Sequence, residues 1–391
     1  MLRVFKTRQR LYSTTALPQK ILFFGTDDFS LSSLKKLHKS LVDDDNSLAS
    51  IDVVTTSDVR RTPKAKPTPV PVKQFALENN LAVHEIPSGI SPLALEKNWK
   101  LPSESSYDLG VVVSFGYFVP KSVISSLRLG AINVHPSLLP AYRGAAPITW
   151  SMLRGDDVTG VSIIEVDPDQ FDSGNILLQV EEDIHPDEMY LTLRKRLSVI
   201  GADCLLAAMR NMELGMRPNL PQTHENNTPA WKLTQRHAKI RFQALFDTKM
   251  KRQLQCGHLN LNDAPTSREL YNRWRALSET VGVSVDWYQK DGIVKTIRLI
   301  QIGFPEDFDS SGGSDWGGEK KDVPIGSMVW CAQTRRLMLK CAPSPNEDWT
   351  SDRNKQWIEL EKVQMHGKKA LNAIDFANGQ RLKKNPIQTL L

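Results

Sequence analysis

The chain has 391 residues, 40% of them hydrophobic and 24% charged, with 50 Lys+Arg against 44 Asp+Glu and a net charge of +6. That length exceeds what one hydrophobic core usually organises, so two domains are expected, and the composition is that of an ordinary globular protein. No run approaches the roughly 18 uninterrupted apolar residues needed to span a bilayer, and Cys204, Cys256, Cys331 and Cys341 form no CxxC pair, so neither a disulfide framework nor a zinc site gains support.

Residues 1–19, MLRVFKTRQRLYSTTALPQ, carry Arg3, Lys6, Arg8 and Arg10 among apolar side chains, followed by Ser13, Thr14 and Thr15, and no acid precedes Asp27. A basic, acid-free, amphipathic leader has the composition of a mitochondrial transit peptide, so this segment is set apart from the fold and a matrix location is expected. From Lys20 the chain alternates. KILFFG (20–25), IDVVTT (51–56), LAVHEI (81–86), DLGVVVSFG (108–116) and AINV (131–134) are apolar, strand-like runs. Leucines at helical spacing in SLSSLKKLHKSL, and helical patterns over 70–80 and 121–128, fill the gaps. Such alternation indicates the α/β class, with a Rossmann-like, mostly parallel sheet covered on both faces.

GVSIIEV (160–166) and NILLQVEED (175–183) read as an added antiparallel pair. A helix over 186–214, opened by Pro186, Asp187 and Glu188 and stopped by Gly215, closes a catalytic domain at 20–215. Residues 216–245 start with a proline- and asparagine-rich stretch and read as a linker. In 246–391 a helix around 266–279 precedes short β-like runs at 281–288, 293–304, 325–332, 335–341 and 357–364, the spacing of a small β-barrel. DSSGGSDWGGEKKD (309–322) reads as a flexible insertion. Charge is divided between the halves: 20–229 holds 20 Lys+Arg and 26 Asp+Glu, net −6, whereas 230–391 holds 26 and 18, net +8. The second half therefore points to a polyanion, nucleic acid first among them.

A doubly wound sheet holds its ligand at the carboxyl ends of its strands, near the point where strand order reverses. GTDDF (25–29) follows one strand but lacks the closely spaced glycines of a dinucleotide site, which counts against nicotinamide and flavin chemistry. NVHPSLLP (133–140) follows another. Positions two apart in a strand project to one side, so Asn133 and His135 can face one crevice and donate to one oxygen, as an oxyanion site requires. A semi-buried histidine beside an asparagine that satisfies local backbone groups has the same pattern. In EVDPDQFDSGNILLQ (165–179), Asp167, Asp169 and Asp172 crowd a turn. Aspartate is an ordinary turn former, yet a carboxylate near a histidine also fixes its tautomer and raises its basicity. With no second histidine at metal spacing, no metal is expected.

These segments carry a resemblance. GTDDF, VVVSFGYFVPK (111–121), GAINVHPSLLPAYRGAAPITW (130–150), GVSIIEVDPDQFDSGNILLQ (160–179) and the closing GKKALNAIDFANGQR (367–381) resemble the methionyl-tRNA formyltransferases of the 10-formyltetrahydrofolate-dependent transformylase superfamily. The resemblance implies catalytic roles for Asn133, His135 and Asp172. It implies a folate pocket lined by Phe115, Gly116, Tyr117, Ser137, Leu138, Leu139, Pro140 and Asp169, and an OB-like C-terminal barrel that binds tRNA. It also implies 10-formyltetrahydrofolate as co-substrate and initiator methionyl-tRNA as partner, with direct attack by the amine and no covalent enzyme intermediate. The loop SDVRRTPKAKPTPVP (57–71) then acquires a meaning: Arg60, Arg61, Lys64 and Lys66, on a segment that its prolines hold extended, would enter the tRNA acceptor arm and make binding salt-dependent. No membrane or obligate protein partner is indicated, so a monomer is expected. Two other readings stay open at this point: a transformylase for a small amine, which would not need the basic second half, and an inactive RNA-binding protein, which would not need Asn133, His135 and Asp172.

Overall fold

A computed structural model of the protein describes residues 20–43, 48–60, 64–87, 89–99, 106–216, 218, 220–223, 227–240, 242, 255–256, 259–260, 264–288, 294–304, 323–331, 334–343, 356–382 and 387–389. The expected leader, the 309–322 insertion and Arg61 lie outside them. Two compact units are present. One runs to Arg143 and adds Gly160–Glu182 and Arg194–Asn227; the other consists of Gly144–Thr159, Asp183–Leu193 and Thr228 onward.

The first unit is built on strands β1 (Lys20–Gly25), β2 (Ser50–Thr56), β3 (Ala82–Ile86), β4 (Leu109–Val113), β5 (Ala131–His135), β6 (Val158–Glu165) and β7 (Ile176–Asp183). Its helices are α1 (Asp28–Val42), α2 (Pro71–Glu78), α3 (Pro92–Asn98), α4 (Lys121–Ser126) and most of α6 (Tyr190–Glu213), while α5 (Pro147–Arg154) is assigned to the second unit. Strand order is β3-β2-β1-β4-β5-β6-β7, parallel from β3 to β5, with β6 antiparallel to β5. Apolar runs without alternation suit strands covered on both faces, and Ile21, Leu22, Phe23, Val53, Val54, Leu109 and Val111 are fully buried. Strand order reverses between β1 and β4, which is where a doubly wound sheet opens a crevice at its carboxyl ends.

Punctuation explains where the helices begin. Asp27 caps α1, its Oδ1 accepting the N–H groups of Phe29 and Ser30 at 3.1 Å, a bond type that stabilises a helix by about 1 kcal/mol. α6 opens at Tyr190 rather than at Pro186, because Pro186 and Asp187 form a separate turn closed by the Glu188 N–H donating to the His185 carbonyl at 3.0 Å. The basic loop also departs from expectation. It is not extended: Val59 and Thr68 exchange both backbone hydrogen bonds at 3.0 Å, so the segment folds back on itself. Proline stiffness fixes local direction only, and cross-strand pairing at the base sets the path.

The second unit carries β8 (Lys239–Ile240), α7 (Ser267–Leu277), β9 (Val283–Tyr288), β10 (Val294–Gly303), β11 (Ser327–Cys331), β12 (Arg336–Lys340), β13 (Trp357–Met365), β14 (Ala370–Asn372), α8 (Ala373–Gly379) and β15 (Ile387–Thr389). The sheet runs β8-β9-β10-β13-β12-β11-β15, with β14 on β13; β8 and β9 are parallel and the other neighbouring strands antiparallel. Two register shifts follow Leu299, so β10 carries a bulge against β13. Thr266 and Glu269 form a capping box at the start of α7. Inward positions of alternating strands, among them Val283, Val285, Ile297, Leu299, Leu337, Leu339, Ile358 and Leu360, build this unit's core with Phe376 of α8. Cys204, Cys331 and Cys341 are free, buried thiols; burial pushes Cys204 up to about 11 and Cys341 higher still, so both stay protonated and inert at neutral pH.

Candidate active site

Three segments leave the sheet at the carboxyl ends of β1, β4 and β5, where a doubly wound sheet holds its ligand. Of these, GTDDF is structural. Gly25 packs where a Cβ would lie 2.6 Å from the Phe23 ring and 2.9 Å from Ser30 Cβ. The second carboxylate oxygen of Asp27 accepts from Ser114 Oγ at 2.9 Å and Arg194 Nη2 at 2.6 Å, joining β1, β4 and α6.

Asn133 and His135 sit at the end of β5, which the register pairs with Val112 of β4 and with Ile164 and Ser162 of β6. Both side chains meet Asp172. Asn133 Nδ2 donates to Asp172 Oδ1 at 3.1 Å, and His135 Nδ1 stands 3.5 Å from the same oxygen. The ring is nearly enclosed, with its side chain 5% exposed and that of Asp172 10%. Its other nitrogen, Nε2, lies 2.9 Å from the Tyr142 carbonyl. A carbonyl only accepts, so Nε2 carries a hydrogen and Nδ1 is the nitrogen turned toward Asp172.

Two backbone conformations hold this geometry. Asp172 has φ +55° and Tyr142 φ +63°, in the left-handed region that costs a non-glycine residue about 1–3 kcal/mol. The D-x-G sequence has a physical cause at Gly174: a Cβ there would fall 1.9 Å from the Glu165 carbonyl oxygen, so only glycine lets the turn close. Asp167 shapes the same turn. Its Oδ1 accepts from Asp169 N–H at 2.7 Å and Gln170 N–H at 3.0 Å. The first of these holds the carboxyl below its ordinary range, against partial burial and with help from the second. Asp169 is exposed and paired with Lys121. Phe171 stacks on Phe118 with ring centroids 3.5 Å apart, so the turn also grips the segment after β4.

The expected folate-pocket residues divide. Phe115 is buried, its ring edge-on to Phe24 at 5.3 Å and to Tyr117 at 5.7 Å, and belongs to the core. Tyr117 accepts the Gly89 N–H at 3.1 Å. Gly116, with φ +79° and nothing within 4 Å of where a Cβ would stand, borders open space. Ser137 is fully buried and donates to the Ala141 carbonyl at 2.7 Å. Leu139 packs with Ile164 and Ile176, its N–H taken by Ser162 Oγ and its carbonyl by Gln179. Leu138 faces Gly160, and Pro140 follows a cis peptide and is half-buried. These side chains thus hold the loop in place. Two residues escape a reading of the sequence: Arg143, whose guanidinium is lowered by burial against the pull of Asp172, and Gln222, in the stretch that reads as a linker.

In the 57–71 loop, Arg60, Lys64 and Lys66 are exposed, and among the described residues no carboxylate pairs with them. Lys73 anchors the loop's base at 2.5 Å from Asp58 and 2.8 Å from Glu85; burial works against its charge, but the two acids outweigh it and raise its pKa. Within the second unit, Ser284, Arg298 and Gln364 stand in one row across β9, β10 and β13. They line a concavity of about 300 Å³ together with Gln235, Gly282 and His366.

The "Formyl transferase" family pattern matches residues 19–209. A methionyl-tRNA formyltransferase of Syntrophus aciditrophicus (strain SB) is 40% identical over 222 residues, which cover 57% of this chain and 68% of that relative. The chain belongs to the formyl transferase family. A mitochondrial methionyl-tRNA formyltransferase of Bos taurus is 28% identical to this formyltransferase over 363 residues, 93% of the chain and 77% of the relative. A sugar 3N-formyl transferase crystallised in the presence of dTDP and 5-N-formyl-THF shares the fold, with a TM-score of 0.52 and 15% identity over 90% of this chain and 99% of the other. Among the described residues no group of three or more His, Cys, Asp or Glu could hold a metal ion.

Proposed function

We propose that this formyltransferase moves the formyl group of 10-formyltetrahydrofolate to the amino group of initiator methionyl-tRNA, in the mitochondrial matrix. One observation carries the reading: Asn133 and His135, two apart at the carboxyl end of β5, converge on the Asp172 carboxylate. Relatives named methionyl-tRNA formyltransferase support the acceptor, and relatives named mitochondrial over 93% of the chain support the location.

The folate supplies a formyl carbonyl attached to N10. Asn133 Nδ2 has two hydrogens, one already given to Asp172, so the second is available to the formyl oxygen. His135 donates there as well, from Nδ1 whenever that nitrogen holds a proton. Both donors act where negative charge grows as the amine attacks, and losing one such donor typically costs about 3–4 kcal/mol of transition-state stabilisation. Asp172 takes a proton from the attacking amine and passes it to N10 as the carbon–N10 bond breaks, so one proton leaves the acceptor and one arrives on the folate. The open space beside Gly116 leaves room for a flat ligand against the backbone, and burial holds the Ser137 and Leu139 side chains in fixed places.

For tRNA we infer two surfaces. Arg60, Arg61, Lys64 and Lys66 reach phosphates from the loop, and the basic second half adds the Ser284–Arg298–Gln364 face, which suits a nucleic-acid backbone. Incubating the protein with methionyl-tRNA and a formyl-labelled folate should yield N-formylmethionine on the tRNA. Label that reaches only a small amine, such as an amino sugar, overturns the tRNA reading while leaving formyl transfer intact.

A further inference from the structure

We propose that Gln222, in the stretch after α6, is a positioning residue that fixes the tautomer and orientation of His135 by tying together the two loops that flank the ring. The inference rests on the formyl-transfer reading of the site for its rate measurements, and on the structure alone for its geometry.

Gln222 uses its whole side-chain amide. Its Nε2 donates to the Asp172 carbonyl at 2.9 Å and the Gly174 carbonyl at 2.7 Å. Its Oε1 accepts from Arg143 Nε at 2.9 Å and Nη2 at 2.5 Å. Two hydrogens on one atom and two lone pairs on the other are a capacity that only a primary amide offers. Glutamate would set an oxyanion against two carbonyls, and methionine would fill the space with no polar bond.

The partners matter because of what lies beside them. Arg143 follows Tyr142, whose carbonyl takes the His135 Nε2 proton at 2.9 Å. Asp172 holds its carboxylate 3.5 Å from His135 Nδ1. A closed ring results: the imidazole, the Tyr142 carbonyl, the Arg143 guanidinium, the Gln222 amide, the Asp172 backbone and the Asp172 carboxylate back to the imidazole. Tyr142 and Asp172 are the ring's two residues at positive φ, and such conformations persist where the surroundings over-determine them. Gln222 closes the circuit between them. It is itself held two residues from Leu220, whose carbonyl accepts the Ile176 N–H at 2.9 Å in an antiparallel bridge at the start of β7. Loosening this brace frees the imidazole to turn, and small misplacements of a reacting group are costly.

The test compares wild type with Gln222→Met, Gln222→Glu and Arg143→Met. Gln222→Met should lower kcat by roughly 10- to 100-fold, leave KM for both substrates within about twofold, and displace a limb of the pH–rate profile. Gln222→Glu should be worse, and Arg143→Met combined with Gln222→Met should be little worse than either alone, because both cut one ring. In the free protein, ¹⁵N spectra should show His135 protonated at Nε2 in wild type and losing that fixed pattern in Gln222→Met. Unchanged kcat and pH profile in a folded Gln222→Met overturns the proposal, as does a fall in kcat with the His135 nitrogen signals unmoved. Should Gln222→Met fail to fold, Arg143→Met carries the same readouts. If wild type does not formylate methionyl-tRNA, the functional reading falls, and the ¹⁵N signals alone decide the brace.

Discussion

Two loops of the first unit make opposite use of charge. The 165–175 turn carries three aspartates and commits nearly every polar group: Asp167 to its own backbone, Asp169 to Lys121, Asp172 to Asn133 and His135. The 57–71 loop is closed at its base by Val59 and Thr68 and steadied by Lys73, yet leaves Arg60, Lys64 and Lys66 exposed. The proposed function gives the contrast a reason: a proton transfer at the turn would need groups held to fractions of an ångström before the substrate arrives, whereas a polyanion at the loop would be recognised by cations that adapt to phosphates along its backbone.

The sharpest way to break this comparison is at the turn's chemistry. His135→Ala should lower kcat by about 10²- to 10⁴-fold in single-turnover formylation, with the KM for tRNA little changed; a fall confined to KM would assign the ring to binding. Asn133→Ala should come next at about 10²- to 10³-fold, measured in the same assay. Gly174→Ala drives a Cβ toward the Glu165 carbonyl and should cost roughly 1–3 kcal/mol in thermal unfolding, with a loss of kcat as the turn shifts; wild-type stability there would mean the turn has slack. Changing Arg60 and Lys64 together to alanine should flatten the salt dependence of tRNA binding by about 1–2 in the log–log slope, at unchanged saturating kcat. The smallest effect concerns Asp167. A carboxylate with a lowered folded pKa stabilises the protein above its ordinary value of 3.8 and loses that contribution as pH falls through the folded value. Asp167→Ala should therefore melt below wild type at pH 7, with the gap shrinking under acid conditions.

Much of this architecture was legible because it is local. Uninterrupted apolar runs at 20–25, 51–56 and 131–134 announce strands buried on both faces, and the helical pattern around 266–279 announces α7. Asn133 and His135 were legible together because a strand's period of two puts them on one side. Their tie to Asp172, 39 residues on, came only through resemblance, since no periodicity spans that distance. Gln222 gave no signal at all: within a proline- and asparagine-rich stretch it looks like any polar linker residue.

By itself, then, the amino-acid order determined the alternation of strands and helices, the division of charge between the halves, and a histidine and asparagine facing one crevice. The tertiary structure decided which nitrogen of His135 faces Asp172, that the Ser137 and Leu139 side chains are buried within their own loop and against its neighbouring strands, that the basic loop doubles back, and that a glutamine beyond α6 closes the ring around the imidazole. Side-chain period and capping act over a few residues and are written in the chain, whereas the partner of a buried polar group is chosen by what folding brings within hydrogen-bond reach, and that choice exists only once the strands are stacked.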